Sequence, residues 1–334
     1  MILLTGATGL VGSHLALKLV QDHQPVTAIY RANHSIQKTR EVFALYGQEN
    51  LFERINWIEA DITDVPSLEL AFRNIDYVYH CAANISFDPA DEALLRKVNI
   101  EGTANIVNFC LQYGVRKLCH VSSIAALGDL KPGEPIITED TEWNPEKPHS
   151  DYAISKYGAE MEIWRGLQEG LPAVVVNPGV ILGPLFWNSG SGEIFSRVAN
   201  GLPFYTKGVT GFTTVDDVVT IMIKLMESEV SGERFVVVSK NVSFESMLKA
   251  IAQALGVKPP SIPAKPWMTS MAWRLDWLAG VFGKKRSLSR SMAHSLHQRD
   301  TYSSERVGFA LYHTFANLEA YVAKIAAYYP KKTT

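Results

Sequence analysis

At 334 residues, 47% hydrophobic and 20% charged, the chain can bury one large α/β domain plus a smaller lobe. A formal net charge of -2 and a pI near 6.5 exclude the basic footprint of a nucleic-acid binder. No run reaches the roughly 18 consecutive apolar residues of a membrane span, and the nearest, Trp267 to Phe282, is broken by Arg274 and Asp276.

Cys81, Cys110 and Cys119 have no metal-ligand spacing, and three thiols suit a reducing compartment better than a disulfide framework. Met1-Ile2-Leu3-Leu4 runs straight into a glycine turn and leaves no room for a signal peptide. A cytoplasmic protein without metal, acting on a small molecule, is the expectation.

Six short apolar runs predict strands: Ile2-Leu3-Leu4, Val26 to Tyr30, Asn56 to Ala60, Tyr77 to His80, Lys117 to Val121 and Ala173 to Val176. Apolar on both faces, they suit the centre of a parallel sheet covered on each side by helices. Helical patterns lie between them, including Gly12 to Val20 and Asp91 to Tyr113. Six alternations predict an α/β doubly wound parallel sheet rather than a closed barrel, which needs about eight. Past Pro178 the rhythm loosens into glycine, proline and aromatics. Asp216 to Met226 then reads as a helix, Arg234 to Val238 as a strand, and the chain from Val242 as mainly helical. The expected division is a dinucleotide-binding domain at 1–178 and 211–240 and a discontinuous substrate lobe at 179–210 and 241–330.

The turn Thr5-Gly6-Ala7-Thr8-Gly9-Leu10-Val11-Gly12 follows a strand and opens a helix. In such a turn the first glycine permits the bend, the second admits a pyrophosphate, and the third allows close packing. The free N–H groups of the helix start then face the phosphates. Gly6, Thr8, Gly9, Leu10 and Val11 are the expected contacts. At the end of the second strand an acid would select NAD, whereas Tyr30-Arg31-Ala32-Asn33 offers Arg31 and no acid before Glu41. Arg31 can grip a 2′-phosphate in a fork, so NADP(H) is favoured and NAD(H) is the other candidate. Asp61-Ile62, after the third strand, can reach an adenine, with helix capping as the other role for Asp61.

Tyr152-Ala153-Ile154-Ser155-Lys156 sets a phenol and an ammonium on one helix face, with Ser150 as the predicted cap. An ammonium stabilises a phenolate and lowers the phenol's pKa towards neutrality. Val121-Ser122-Ser123 supplies hydroxyls at the C-terminal edge of the sheet, where open α/β folds bind ligands. The catalytic expectation is Ser123, Tyr152 and Lys156.

Together, Thr5-Gly6-x-x-Gly9-x-x-Gly12, Asp61-Ile62, His80-Cys81-Ala82-Ala83, Asn99, Val121-Ser122-Ser123 and Tyr152-x-x-x-Lys156 resemble an extended short-chain dehydrogenase/reductase over roughly residues 1–240. A weaker match continues to the end, where Tyr302 to Glu305 resembles a helix leading to a turn at Gly308-Phe309. The resemblance implies Tyr152 as proton donor or acceptor, and Lys156 as the group that lowers its pKa and holds the nicotinamide ribose. It gives the substrate oxygen to Ser123, with Ser122 as fallback, and makes Asn99 structural. Ala82, Ala83, Pro178 and Val180 would line the cofactor. A homodimer through helices of the sheet domain is also implied.

Within that family, Ser123 is followed by Ile124-Ala125-Ala126, which lacks the acid–base pair of the sugar dehydratases. Leu127-Gly128 replaces the tyrosine–glycine common in sugar epimerases, weakening that reading without excluding it. Val176 to Pro184, Arg31 with Lys38, and Glu139 to Trp143 resemble the dihydroflavonol reductase branch. The expectation is an NADP(H)-dependent carbonyl reductase or alcohol dehydrogenase; the alternatives are a nucleotide-sugar epimerase with tightly held NAD and a non-catalytic cofactor sensor. Phe87, Phe186 and Tyr205, with Ile85, Trp187, Phe204 and Phe212, suggest a partly apolar substrate. Met271, Leu275, Leu278 and Phe282 form a helical stripe expected to face the core. A lid, a dimer contact or a membrane-surface attachment aided by Lys284-Lys285-Arg286 are its other readings.

Overall fold

The computed structural model describes residues 1–281, 286 and 288–330. The first part runs β1 (Ile2–Thr5), α1 (Leu10–Gln21), β2 (Val26–Tyr30), α2 (Asn33–Leu45), β3 (Asn56–Glu59), α3 (Val65–Ala71) and β4 (Tyr77–His80). It continues through α4 (Glu92–Leu95), α5 (Gly102–Gln112), β5 (Lys117–Val121), α6 (Asp151–Gln168) and β6 (Ala173–Pro178). After this come β7 (Val180–Leu182), α7 (Glu193–Ala199), β8 (Phe204–Tyr205), β9 (Val209–Thr214), α8 (Val215–Glu227) and β10 (Glu233–Val237). The last stretch holds β11 (Lys240–Ser243), α9 (Phe244–Leu255), β12 (Ile262–Pro263), α10 (Pro266–Val281), α11 (Arg290–Ser295), α12 (Glu305–Leu311) and α13 (Leu318–Ala326).

Seven parallel strands form one sheet in the order β10-β6-β5-β4-β1-β2-β3. The order reverses around β1, which pairs with β2 on one side and β4 on the other. That reversal opens a crevice at the strand ends, where Thr5 stands beside His80 and His80 beside His120. Along each central strand the side chains alternate between two cores. Ile2 and Leu4 join Leu15, Val42, Ile221 and Ile251 on one face, while Leu3 joins Leu68, Phe72, Ile106 and Ile163 on the other. Both faces are dry, which is why these strands read as continuous apolar runs. Two small sheets, β11-β9-β7 and β12-β8, extend the second half.

The single helix expected from Asp91 to Tyr113 is instead α4, a π-helical stretch at Arg96–Glu101, and α5. A π-turn adds a residue without breaking the apolar pattern, so the sequence does not betray it. The α10 stripe is a second correction. Trp267, Met271, Leu275 and Leu278 face outward, and among the described side chains of that helix Thr269 is the buried one; Phe282 lies outside the described residues. Gly308-Phe309 is not a turn but part of α12, with Phe309 exposed. Among the described residues no helix is long and apolar enough to cross a membrane.

Candidate active site

Gly6 lies at φ +70°, in the left-handed region that a side chain strains, and a Cβ there would stand 2.6 Å from the Ala82 amide nitrogen. At Gly12 a Cβ would meet the Gly6 carbonyl oxygen at 2.2 Å. The turn is closed by the Gly9 amide donating to that same oxygen at 3.0 Å. Gly9 differs from its neighbours: a Cβ there meets only Gly6 O, at 3.4 Å, so packing within the protein does not demand a glycine. The α1 N-terminus has no side-chain cap and no acid in its first turn. An open face beside Gly9 and uncapped N–H groups fit the pyrophosphate of a dinucleotide.

A buried chain of hydrogen bonds braces this cradle. The Thr103 hydroxyl donates to Asn99 O at 2.6 Å, so its oxygen accepts from His80 Nε2 at 3.0 Å. His80 Nδ1 therefore accepts from the Thr5 hydroxyl at 2.7 Å, and Thr5 Oγ1 accepts from the Ala82 amide at 3.2 Å. Burial pushes the His80 imidazole down to about 3, with the Lys156 charge acting in the same direction, so it is neutral. Asn99, in the π-helical stretch, donates to Asn84 O and Ser155 Oγ and accepts from the Asn84 amide. Its placement is structural, tying the π-turn to α6. In the sequence His80 stands at a strand end and in the His80-Cys81-Ala82-Ala83 motif, and neither marks this bracing role.

Ser150 caps α6, its hydroxyl accepting from the Ala153 amide at 3.1 Å. The cap begins the helix immediately before Tyr152. Ser123 ends the loop after β5; its oxygen accepts from the Ala125 amide at 3.1 Å, which leaves its hydrogen free for another partner. Tyr152 lies beside it, while Ser122 is buried in the protein. Lys156 is buried and its ammonium donates to Val121 O at 2.8 Å. The three expected groups thus converge at the end of β5.

Burial holds the Tyr152 phenol above its ordinary range rather than below it, opposed by Ser123. Lys156 is itself pushed down to about 8 by burial, with Glu160 and Cys81 opposing.

Below these groups lies a network that the sequence did not announce. Glu160 is fully buried one turn after Lys156, accepting from Asn177 Nδ2 and pairing with Arg234 at 3.2 Å. Burial raises its pKa against the pull of Ser122, Arg234 and Asn177. Asn177 also donates to Ser123 O at 3.0 Å, fixing the backbone that carries the hydroxyl. A small cavity at Tyr152 is lined by Ser86, Phe87 and Ser150, and by Ser289 and Ser291 from the segment entering α11. Phe87 is 43% exposed, its ring 5.7 Å from that of Tyr152.

The other expected positions scatter. Arg31 is exposed at the end of β2. Lys38 is paired with Glu41 at 2.7 Å rather than standing free beside Arg31. Asp61 accepts from the Thr63 amide and hydroxyl, both at 2.8 Å, and caps that turn rather than α3. Ile62 is buried, while Ala82 and Ala83 lie beyond β4, with Ala82 against Gly6. Pro178 is buried at the end of β6, and Val180 is half-buried in β7. Phe186 is buried with Trp187 and Phe195 in the larger core, apart from the Tyr152 cavity. Tyr205, in β8, lies under the Lys249 ammonium.

A doubly wound sheet with a glycine turn at its reversal point and a tyrosine–lysine helix beside β5 places the protein among the dinucleotide-binding α/β proteins. A model of the NAD-dependent epimerase/dehydratase family matches residues 2–238, and the chain belongs to that family. Its activities are of oxidoreductase type, and both reductases and epimerases are among the relatives. Sterol demethylase protein B of Methylococcus capsulatus is 28% identical over 85% of this chain and 84% of its own. A putative dihydroflavonol 4-reductase of Synechocystis is 26% identical, covering 85% and 81%; a UDP-glucose 4-epimerase of Vibrio cholerae is 26% identical, covering 92% and 90%. The solved structure of gox2253 superposes with a TM-score of 0.82 at 27% identity, covering 98% of this chain and 97% of the other.

Proposed function

We propose that the protein is an NADP(H)-dependent reductase, moving hydride between nicotinamide and a carbonyl or alcohol carbon of a partly apolar substrate. The observation that carries this reading is the Ser123 hydroxyl beside a protonated Tyr152 phenol, at a cavity whose wall includes Phe87. A bound nicotinamide supplies the hydride. Ser123 donates a hydrogen bond to the substrate oxygen, Tyr152 gives that oxygen its proton, and the reverse oxidation returns it. A phenol raised by burial keeps its proton at neutral pH, which suits reduction. Lys156 holds the ribose from its station at Val121.

Arg31 supports NADP(H) over NAD(H): it is exposed where the adenosine ribose would end, and no acid lies between Tyr30 and Glu41. Asp61 and Ile62 are assigned to the adenine side, and Ala82, Ala83, Pro178 and Val180 to the nicotinamide side. The substrate lobe is assigned to 179–210 and 241–330, because Ser289 and Ser291 come from its second part to wall the cavity.

The test is NADPH consumption against aldehydes, ketones and nucleotide sugars. Oxidation of NADPH by an apolar carbonyl compound supports the reading. Purified protein that carries NAD and interconverts nucleotide sugars without net redox change replaces it with the epimerase, a reading that the Vibrio relative favours.

A further inference from the structure

Helix α10 turns large apolar side chains towards the outside of the protein. Residues 267, 271, 275 and 278 share one face at helical spacing. Trp267 and Leu275 are each 61% exposed, and Met271, Trp277 and Leu278 are about as open. The opposite face, towards the protein, carries Thr269, which is buried and bonded to His297 Nε2 at 2.8 Å. Asp276 also turns inward, accepting from the Leu288 amide at 3.1 Å with its side chain only 14% exposed. Thr269 and Asp276 thus face the fold with Met268 and Trp273 half-buried, while Trp267, Met271, Leu275, Trp277 and Leu278 face out with Arg274 among them. Just before the helix, Phe204 and Ile262, neighbours in the β8–β12 pair, are exposed as well.

The charge around this face has one sign. Lys258, Lys265, Arg274 and Arg290 are exposed, and Asp276 is the sole acid between residues 257 and 295 of a chain whose net charge is -2. The basic lobe therefore stands against an acidic remainder. Tryptophans at 267 and 277 lie about 15 Å apart along the axis, and their rings are suited to the depth of lipid headgroups.

We propose that α10 docks the protein on the surface of an anionic lipid bilayer, its apolar stripe entering the headgroup–acyl boundary and the flanking cations meeting lipid phosphates. A second copy of this chain fits less well, since a two-fold contact through the same face would bring cation against cation. The docked lobe is the one that supplies Ser289 and Ser291 to the cavity at Tyr152, and α10 packs directly on α11. Docking thereby brings the cavity wall to the phase in which an apolar carbonyl compound concentrates. This last consequence rests on the reductase reading; the docking does not.

Co-sedimentation of the full chain with vesicles tests it, using phosphatidylcholine alone and phosphatidylcholine with about 30% phosphatidylglycerol. The expected result is binding to the anionic vesicles with a blue shift of tryptophan emission, weakened by about 0.5 M salt. Met271→Glu with Leu275→Glu should reduce that binding at least about tenfold. Both positions are exposed, so the variant should melt like the parent and bind NADPH equally, and those two measurements exclude misfolding as the cause. No binding to either vesicle, equal binding by the variant, or indifference to lipid charge overturns the proposal. So does a dimer that the double variant turns into monomers without any vesicle binding, which gives the face to a second copy.

Discussion

The Lys156 ammonium donates to the carbonyl of Val121 at 2.8 Å, so α6 is pinned to the last residue of β5 by a charged group buried inside the protein. Burying a cation with one carbonyl partner disfavours its charge, which pushes Lys156 down to about 8. Between about 8 and its ordinary 10.5 the unfolded chain holds a proton that the folded one has released. Stability therefore rises with pH through that window. Lys156→Met removes the dependence, so the variant's stability relative to the parent should fall as pH goes from neutral to about 10. The change should be at most roughly 3 kcal/mol. Urea unfolding at both pH values measures it, and a gap that does not move with pH contradicts the burial account.

Tyr152→Phe should lower carbonyl reduction by about 10² to 10⁴ while leaving NADPH binding nearly intact. Ser123→Ala should cost less, roughly tenfold to a hundredfold in kcat, because it removes one hydrogen bond to the substrate oxygen. Steady-state rates paired with cofactor fluorescence titrations separate the two effects. The raised phenol adds a pH signature. Oxidation needs the phenolate and should climb steadily with pH, whereas reduction should stay flat through neutrality. Full activity in the phenylalanine variant would refute Tyr152 as the acid.

Gly12→Ala should be the most damaging single methyl group in the chain's first turn. Its Cβ would sit 2.2 Å from Gly6 O and 2.9 Å from the Ala7 Cα, both backbone atoms with nowhere to yield. Overpacking of this kind destabilises by about 1–3 kcal/mol. Gly9→Ala, with its nearest contact at 3.4 Å, should fold normally yet bind NADPH poorly. Thermal melts and cofactor titrations on the pair check the contrast, and normal cofactor affinity in Gly9→Ala would show that the open face is not the binding face.

Arg31→Glu should turn cofactor preference towards NADH, by tenfold or more in the ratio of kcat/KM values, by exchanging a phosphate fork for a ribose acceptor. Lys38→Ala should change the preference less, since its ammonium is already paired with Glu41. Initial rates with both reduced cofactors decide this. An unchanged ratio in Arg31→Glu removes Arg31 from the cofactor site.

The parallel sheet was legible because its central strands are buried on both faces and so announce themselves as apolar runs. The glycine turn and the tyrosine–lysine pair were legible because their chemistry demands fixed spacing. Other features left no such mark. The π-turn at Arg96–Glu101 keeps the apolar rhythm of the helices around it. Glu160, Asn177 and Arg234 form one network from three distant segments, and no local pattern links them. Phe186 and Phe87 look alike as letters, yet one fills the core and the other overlooks Tyr152. For α10, periodicity revealed an apolar face but carried no information about which side of the helix the fold would occupy.

The His80 tether has a property of its own. Every hydrogen along Thr5, His80 and Thr103 is committed in one direction, and the last is delivered to the Asn99 carbonyl, which has none to pass on. Such a string cannot conduct a proton; it acts as a strut between the sheet and the π-turn. With His80 neutral down to about pH 3, the strut keeps its length across any pH at which the protein works. Acid sensitivity in turnover then does not originate in His80 or in the strut that it completes.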